Sequence, residues 1–61
     1  MKPRRWLYIE PGGVVAHFKT VPPVEFDLCM VSGQDGEFAE WQLGRLSERL
    51  SENYRNQKSK N

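Results

Sequence analysis

Two side chains in this sequence have the chemistry of catalysis, His17 and Cys29. His17 could act as a general base, but no serine or cysteine lies at a spacing typical of the nucleophile it would activate. Cys29 would need a cationic neighbourhood to react as a thiolate, whereas Asp27, its neighbour on the same side of a strand, favours the neutral thiol. We therefore predict no catalytic residue.

A bound metal or cofactor is not indicated either. One cysteine and one histidine, without Cys-x-x-Cys or His-x-x-x-His spacing, do not complete a tetrahedral zinc site. The Pro-Gly-Gly of residues 11–13 lacks both the glycine spacing of a phosphate-binding loop and the lysine that follows it, so it predicts a turn. We expect no metal, no cofactor and no small-molecule substrate.

A run of acidic residues in the middle of the chain has several interpretations. These acids could face a basic partner, supply a catalytic pair or mimic the charge of nucleic acid. They could equally form a solvated rim, with the last two placed favourably at a helix N terminus. The run consists of Glu25, Asp27, Asp35, Glu37 and Glu40.

The length of 61 residues allows one domain at most. A chain this short buries only about 60% of the surface that its unfolded form exposes, and a single cysteine cannot form an internal disulfide. Stability must therefore come from good packing or from self-association. We expect one domain over residues 1–56 and a flexible polar tail over residues 57–61.

The chain carries no recognisable targeting or membrane segment. A basic start is not followed by the apolar run of a signal peptide, because Glu10 and Pro11 interrupt it. No stretch approaches the ~20 apolar residues of a membrane span, and a lone cysteine fits a reducing compartment. We expect a cytoplasmic protein that does not contact a membrane.

Hydrophobic periodicity predicts three strands followed by one helix. Alternation indicates strands over residues 4–10, 14–20 and 25–32, and the glycine-containing turn between the first two favours a hairpin. From residue 37 to about residue 56 the spacing becomes that of an α-helix, for which Asp35 could be the N-cap. The predicted class is α+β: a two-layer β-β-β-α fold, with a three-stranded antiparallel sheet packed by one C-terminal helix.

Alternation also divides the strand residues between two faces of the sheet. The face predicted to meet the helix carries Leu7, Ile9, Val14, Ala16, Phe18, Phe26, Leu28 and Met30. The helix stripe opposite that face is Ala39, Leu43, Leu46, Leu50 and Tyr54. The second sheet face carries Trp6, Tyr8, Val15, His17, Lys19, Glu25, Asp27, Cys29 and Val31. One helix covers one face, so the second should meet solvent or another molecule, unless the N-terminal arm or the proline connector folds over it.

Exposed aromatic residues favour a binding protein over an enzyme. We expect a small protein-interaction module that binds another protein or itself, since Trp, Tyr and Arg are enriched at interface hot spots. In size the chain is similar to accessory proteins of phages and mobile elements, although no motif carries that likeness. The predicted partner-binding residues are Trp6, Tyr8, His17, Trp41 and Arg45, the last two on the outer side of the helix.

Nucleic-acid binding is the alternative function. Both ends of the chain are basic around an acidic middle, and sheet aromatics can stack on unpaired bases while cations hold the backbone. The few cations predict weak, salt-sensitive binding. The residues concerned are Arg4, Arg5, Trp6, Tyr8 and Lys19, together with the basic ends.

Overall fold

The computed structural model describes residues 3–59, with side chains up to residue 58. It contains strands β1 (Trp6–Ile9), β2 (Ala16–Lys19) and β3 (Leu28–Val31), followed by helix α1 (Glu40–Ser59). The predicted α+β class and the β-β-β-α order are confirmed. The helix begins at Glu40 and continues to Ser59, so residues 57–59 are helical. The predictions for Lys2, for Lys60 and for the last residue of the tail lie outside the described residues.

The sheet is antiparallel with β1 at its centre, in the order β2-β1-β3. Trp6 lies opposite Lys19 on one side and Val31 on the other, and Ile9 lies opposite Ala16 and Leu28. The tight turn between β1 and β2 is closed by a 2.8 Å hydrogen bond from Gly13 N–H to the Glu10 carbonyl. Gly12 has a φ of 72° in this turn, a conformation that glycine adopts without steric cost.

The start of α1 is capped by its own third residue. The Gln42 side chain accepts a 3.1 Å hydrogen bond from Ala39 N–H, and the Ala39 carbonyl accepts from Leu43 N–H at 3.1 Å. This is one half of a capping box, with alanine where serine or threonine would complete it. The prediction that Asp35 is the N-cap is wrong, because the helix begins well after it, at Glu40.

The core is small and lies between α1 and one face of the sheet. Its buried apolar residues are Leu7, Ile9, Met30 and Leu46, with Ala16, Leu28, Phe38 and Leu50 packed against them. The sheet residues in this set were all predicted on the helix-facing side. Three further residues with the same prediction, Val14, Phe18 and Phe26, are exposed.

Val14 and Phe18 are exposed because α1 packs mainly on β3 and leaves the β2 side of the sheet uncovered. Phe26 lies in the connector before β3, outside the regular strand. Among the strands, β3 makes the most extensive contact with α1. Asn53 on the buried side of α1 bonds to Gly13 and Asp27. Asp27 was predicted on the opposite sheet face, and this is wrong: the residue precedes β3, where strand alternation does not apply, and its side chain meets the helix.

Residues 20–27 join β2 to β3, which run parallel on either side of β1. Such a connection has to cross β1 on one face of the sheet, and α1 occupies the face of Leu7 and Ile9. Crossing on the other face also gives the right-handed connection that parallel strands nearly always have. We infer that this connector passes over the Trp6 and Tyr8 side, which fits the half-buried state of both rings and the burial of Pro23.

Candidate functional site

An apolar groove runs between the flank of α1 and strand β2, where the helix leaves the sheet uncovered. Phe18 is 59% exposed, Leu43 43% and Tyr54 53%. At one end of the groove is an open hollow of about 600 Å³, lined by Val14, Leu50, Ser51, Tyr54 and Arg55. We call this surface, formed by Val14, Ala16, Phe18, Leu43, Leu50 and Tyr54, the α1–β2 groove.

The backbone of β2 forms the outer rim of this groove. The carbonyls of Arg5 and Ile9 accept hydrogen bonds from the backbone N–H groups of Ser32 and Asp27 at 2.9 and 2.7 Å. The odd-numbered residues of β1 therefore direct their backbone N–H and C=O groups towards β3. Trp6 and Tyr8 therefore bond to β2, and Ala16 and Phe18 direct their backbone groups outward. Within residues 3–59 no hydrogen bond reaches those outward groups.

Basic side chains surround the groove. The Arg5 guanidinium lies 5.1 Å from the centre of the Phe18 ring and 5.6 Å from that of Phe38, and it donates to the Gly36 carbonyl at 2.7 Å. Lys58 lies 5.4 Å from the centre of the Tyr54 ring. In the described part of the chain, no carboxylate lies within ion-pair distance of Arg5, Lys19, Arg55 or Lys58.

The opposite flank of α1 is polar and carries charges of both signs. Arg49 lies 3.1 Å from Asp27 and 3.8 Å from Glu52, beside a hollow that Arg45 and Glu48 also line. The hydrogen bond from Asn53 holds the pKa of Asp27 below its ordinary value, and the charge of Arg49 lowers it further against the opposing effect of burial. This cluster ties α1 to the start of β3.

The structure brings three of the predicted partner-binding residues together on the second sheet face. The Tyr8 and His17 rings are 5.4 Å apart, Lys19 lies 5.9 Å from the centre of the Tyr8 ring, and Trp6 is adjacent on β1. His17 Nε2 lies 3.0 Å from a Glu10 carboxylate oxygen. The side chains here are half-buried, apart from exposed Lys19 and Glu10.

Cys29 is half-buried in the same face. Burial raises the pKa of its thiol, so the neutral thiol predominates at neutral pH. This is the protonation state expected from the sequence.

Trp41 and Arg45, the other two predicted partner-binding residues, lie elsewhere. Trp41 is 65% exposed on α1, and Arg45 belongs to the charged flank. The predicted nucleic-acid residues are likewise divided, because Arg5 lies beside Phe18 on the helix side whereas Lys19 lies beside Tyr8 on the other face.

The residues of the α1–β2 groove were predicted as core, so sequence reasoning missed them as a surface. One signal was present. The sequence contains a second helical stripe, Gln42, Leu46, Arg49 and Asn53, next to the apolar one. Because Leu46 and Asn53 are both buried, α1 is oriented about its own axis so that Leu43 and Tyr54 lie away from the sheet.

Among residues 3–59 no group of His, Cys, Asp and Glu could hold a metal ion. No helix in the described part of the chain has the length and hydropathy to cross a membrane. The chain matches no family model, no curated protein and no solved structure.

Proposed function

We propose that this chain is a non-catalytic protein-interaction module and that the α1–β2 groove is its docking surface. The observation that carries the proposal is the exposure of Phe18, Leu43 and Tyr54 along the side where α1 leaves the sheet uncovered, next to an edge of β2 that no described residue pairs with. Contiguous exposed apolar groups mark interaction sites. Isolated ones are ordinary on any protein surface.

The size of the patch fits docking of modest affinity. Aromatic side chains bury about 150–250 Å² each, and Phe18 and Tyr54 are both more than half exposed. With Leu43 and Val14 the groove presents apolar surface of roughly 300–400 Å², in the range of functional patches on monomers. A standard stable interface takes about 800 Å² from each partner, so we expect a transient complex unless the rim adds further contacts.

The other exposed aromatic groups support docking less well. Trp41 has exposed Gly44 and Arg45 as its neighbours on the next helical turn and no exposed apolar ring beside it, and Trp6 and Tyr8 are half-buried. A partner would gain little area from the half-buried rings of Trp6 and Tyr8. In the groove, by contrast, Phe18 and Tyr54 are both more than half exposed.

A peptide-display selection tests this proposal. Random peptides are selected on the immobilised chain and scored against two matched variants, Phe18→Ser in the groove and Trp41→Ser on the outer side of α1. We expect enriched peptides to lose binding to Phe18→Ser and to keep binding to Trp41→Ser. Leu43→Gln, a second groove variant with good helix propensity, should reproduce the loss.

Circular dichroism of each variant separates loss of binding from loss of fold. Both Phe18 and Trp41 are largely exposed, so neither serine variant should unfold the domain. Enriched peptides that depend on Trp41 and ignore Phe18 would place the docking surface on the outer helix face. Failure to enrich any peptide would count against the interaction module itself.

A further inference from the structure

We propose that the occupant of the α1–β2 groove is an extended segment of a partner protein in which apolar and acidic residues alternate, and that it adds to β2 as a fourth, antiparallel strand. This inference rests on the proposed function. It goes further by naming the conformation and the charge of the ligand.

The conformation follows from the free edge of β2. Ala16 and Phe18 direct two N–H and two C=O groups away from the sheet, and no described residue pairs with them. An extended chain can satisfy all four groups, as in other domains that bind peptides by strand addition. A helical ligand has its own backbone groups already paired, so it would leave this edge unsatisfied.

The alternation follows from the register of such a strand. Ligand residues opposite Ala16 and Phe18 would project to the side of α1 and fill the apolar groove. Ligand residues opposite His17 and Lys19 would project to the other face. Apolar side chains are therefore favoured at every second position.

The acidic character follows from the unmatched cations. Lys19 lies on the same face as the ligand residues that project away from α1. Opposite charges across a strand pair are stabilising. Arg5 and Arg55 lie towards the two ends of the groove, without carboxylate partners among the described residues. An acidic ligand residue opposite Lys19 would neutralise that cation, and acidic residues beyond the two ends of the apolar positions would neutralise Arg5 and Arg55.

A second copy of this chain fits the groove poorly. Strands are about 4.8 Å apart, so pairing β2 with β2 of another copy would leave the two α1 helices roughly 20 Å apart, twice the 8–10 Å at which helices pack. The aromatic rings of both copies would stay exposed. The same pairing would bring the basic rims together.

The test uses synthetic peptides of about nine residues, within the usual range of strand lengths and long enough to span β2. One peptide alternates valine with glutamate, a second alternates valine with lysine, and a third has the composition of the first with its residues grouped in two blocks. Binding to the full chain is followed by NMR titration and by amide hydrogen exchange. We expect the glutamate peptide to bind roughly tenfold more tightly than the lysine and block peptides, and raised salt to reduce that preference.

N-methylated peptides test the strand addition directly. In an antiparallel pairing that points valines towards α1, the valine N–H groups face β2 and the glutamate N–H groups face away. N-methylation of the valines should therefore weaken binding roughly tenfold or more, and N-methylation of the glutamates should not. Exchange of the Ala16 and Phe18 amides should slow when the unmodified peptide binds.

Each contrary result has a separate meaning. Binding that leaves the Ala16 and Phe18 amides unprotected would overturn strand addition while preserving the groove as a docking site. Equal affinity for the glutamate and lysine peptides would overturn the acidic partner. If sedimentation shows a dimer, and these two amides are already protected without peptide, the occupant of the groove is a second copy of this chain and the proposed partner segment is wrong. If none of these peptides binds although display selection finds ligands that depend on Phe18, the inference fails and the proposed function stands.

Discussion

Asn53 is the residue on which the position of α1 depends, and its removal gives the sharpest test of the fold. The residue is only 7% exposed, and its Nδ2 donates to the Gly13 carbonyl at 2.8 Å and to an Asp27 oxygen at 3.0 Å. One buried amide thus joins the helix, the β1–β2 turn and the segment before β3. Asn53→Ala removes both bonds at once.

The expected loss has a part that does not depend on pH and a part that does. The bond to the neutral Gly13 carbonyl contributes about 1 kcal/mol, which corresponds to a fall in melting temperature of about 4–8 °C for a domain of this size. The bond to Asp27 is the main cause of the lowered pKa of that carboxyl group. A lowered folded-state pKa stabilises the protein above the ordinary value of 3.8 and stops doing so as the pH falls through the folded-state value.

Urea unfolding of the wild type and of Asn53→Ala, at neutral pH and at a pH well below 3.8, separates the two parts. We expect a larger loss of stability at neutral pH than in acid. Gln57→Ala is the matched control, since Gln57 makes a similar bond to the Gly12 carbonyl at 3.2 Å but is exposed. That variant should change stability by less than about 0.5 kcal/mol. Equal losses for the two variants, or a loss for Asn53→Ala that is the same at both pH values, would refute this account.

Three further substitutions test local features by the same unfolding measurement. Ala39→Ser should complete the capping box with Gln42 and stabilise the domain by about 0.5–1 kcal/mol; an unchanged or lower stability would contradict the assignment of Ala39 as N-cap. Gly44→Ala should stabilise it by about 0.5–1 kcal/mol, because a methyl group at this helical position would meet no atom within 4 Å. Gly12→Ala should destabilise it by about 1 kcal/mol, because its φ of 72° is strained for alanine; a neutral result there would mean that the turn has a different conformation in solution.

The elements of this fold could be predicted from the sequence because each is encoded locally. Alternation from Trp6 to Ile9 and helical spacing around Leu46 depend on neighbouring residues alone. The same alternation predicted which sheet residues meet the helix. Leu7, Ile9 and Met30 are buried as predicted. The exposure of Trp41 on the outer side of α1 was also predictable, since it depends only on the helical period.

The α1–β2 groove could not be predicted, because it depends on where α1 lies across the sheet and on how it is rotated. Helical period fixes which residues share a face but does not decide which of two overlapping stripes turns inward. That choice is made by contacts between residues far apart in sequence, from Asn53 to Gly13 and Asp27 and from Arg49 to Asp27. These bonds hold the helix over β3 and leave the β2 side of the sheet uncovered. The sequence by itself determined that Phe18, Leu43 and Tyr54 are large apolar side chains, and only the tertiary structure decided that they lie on the surface.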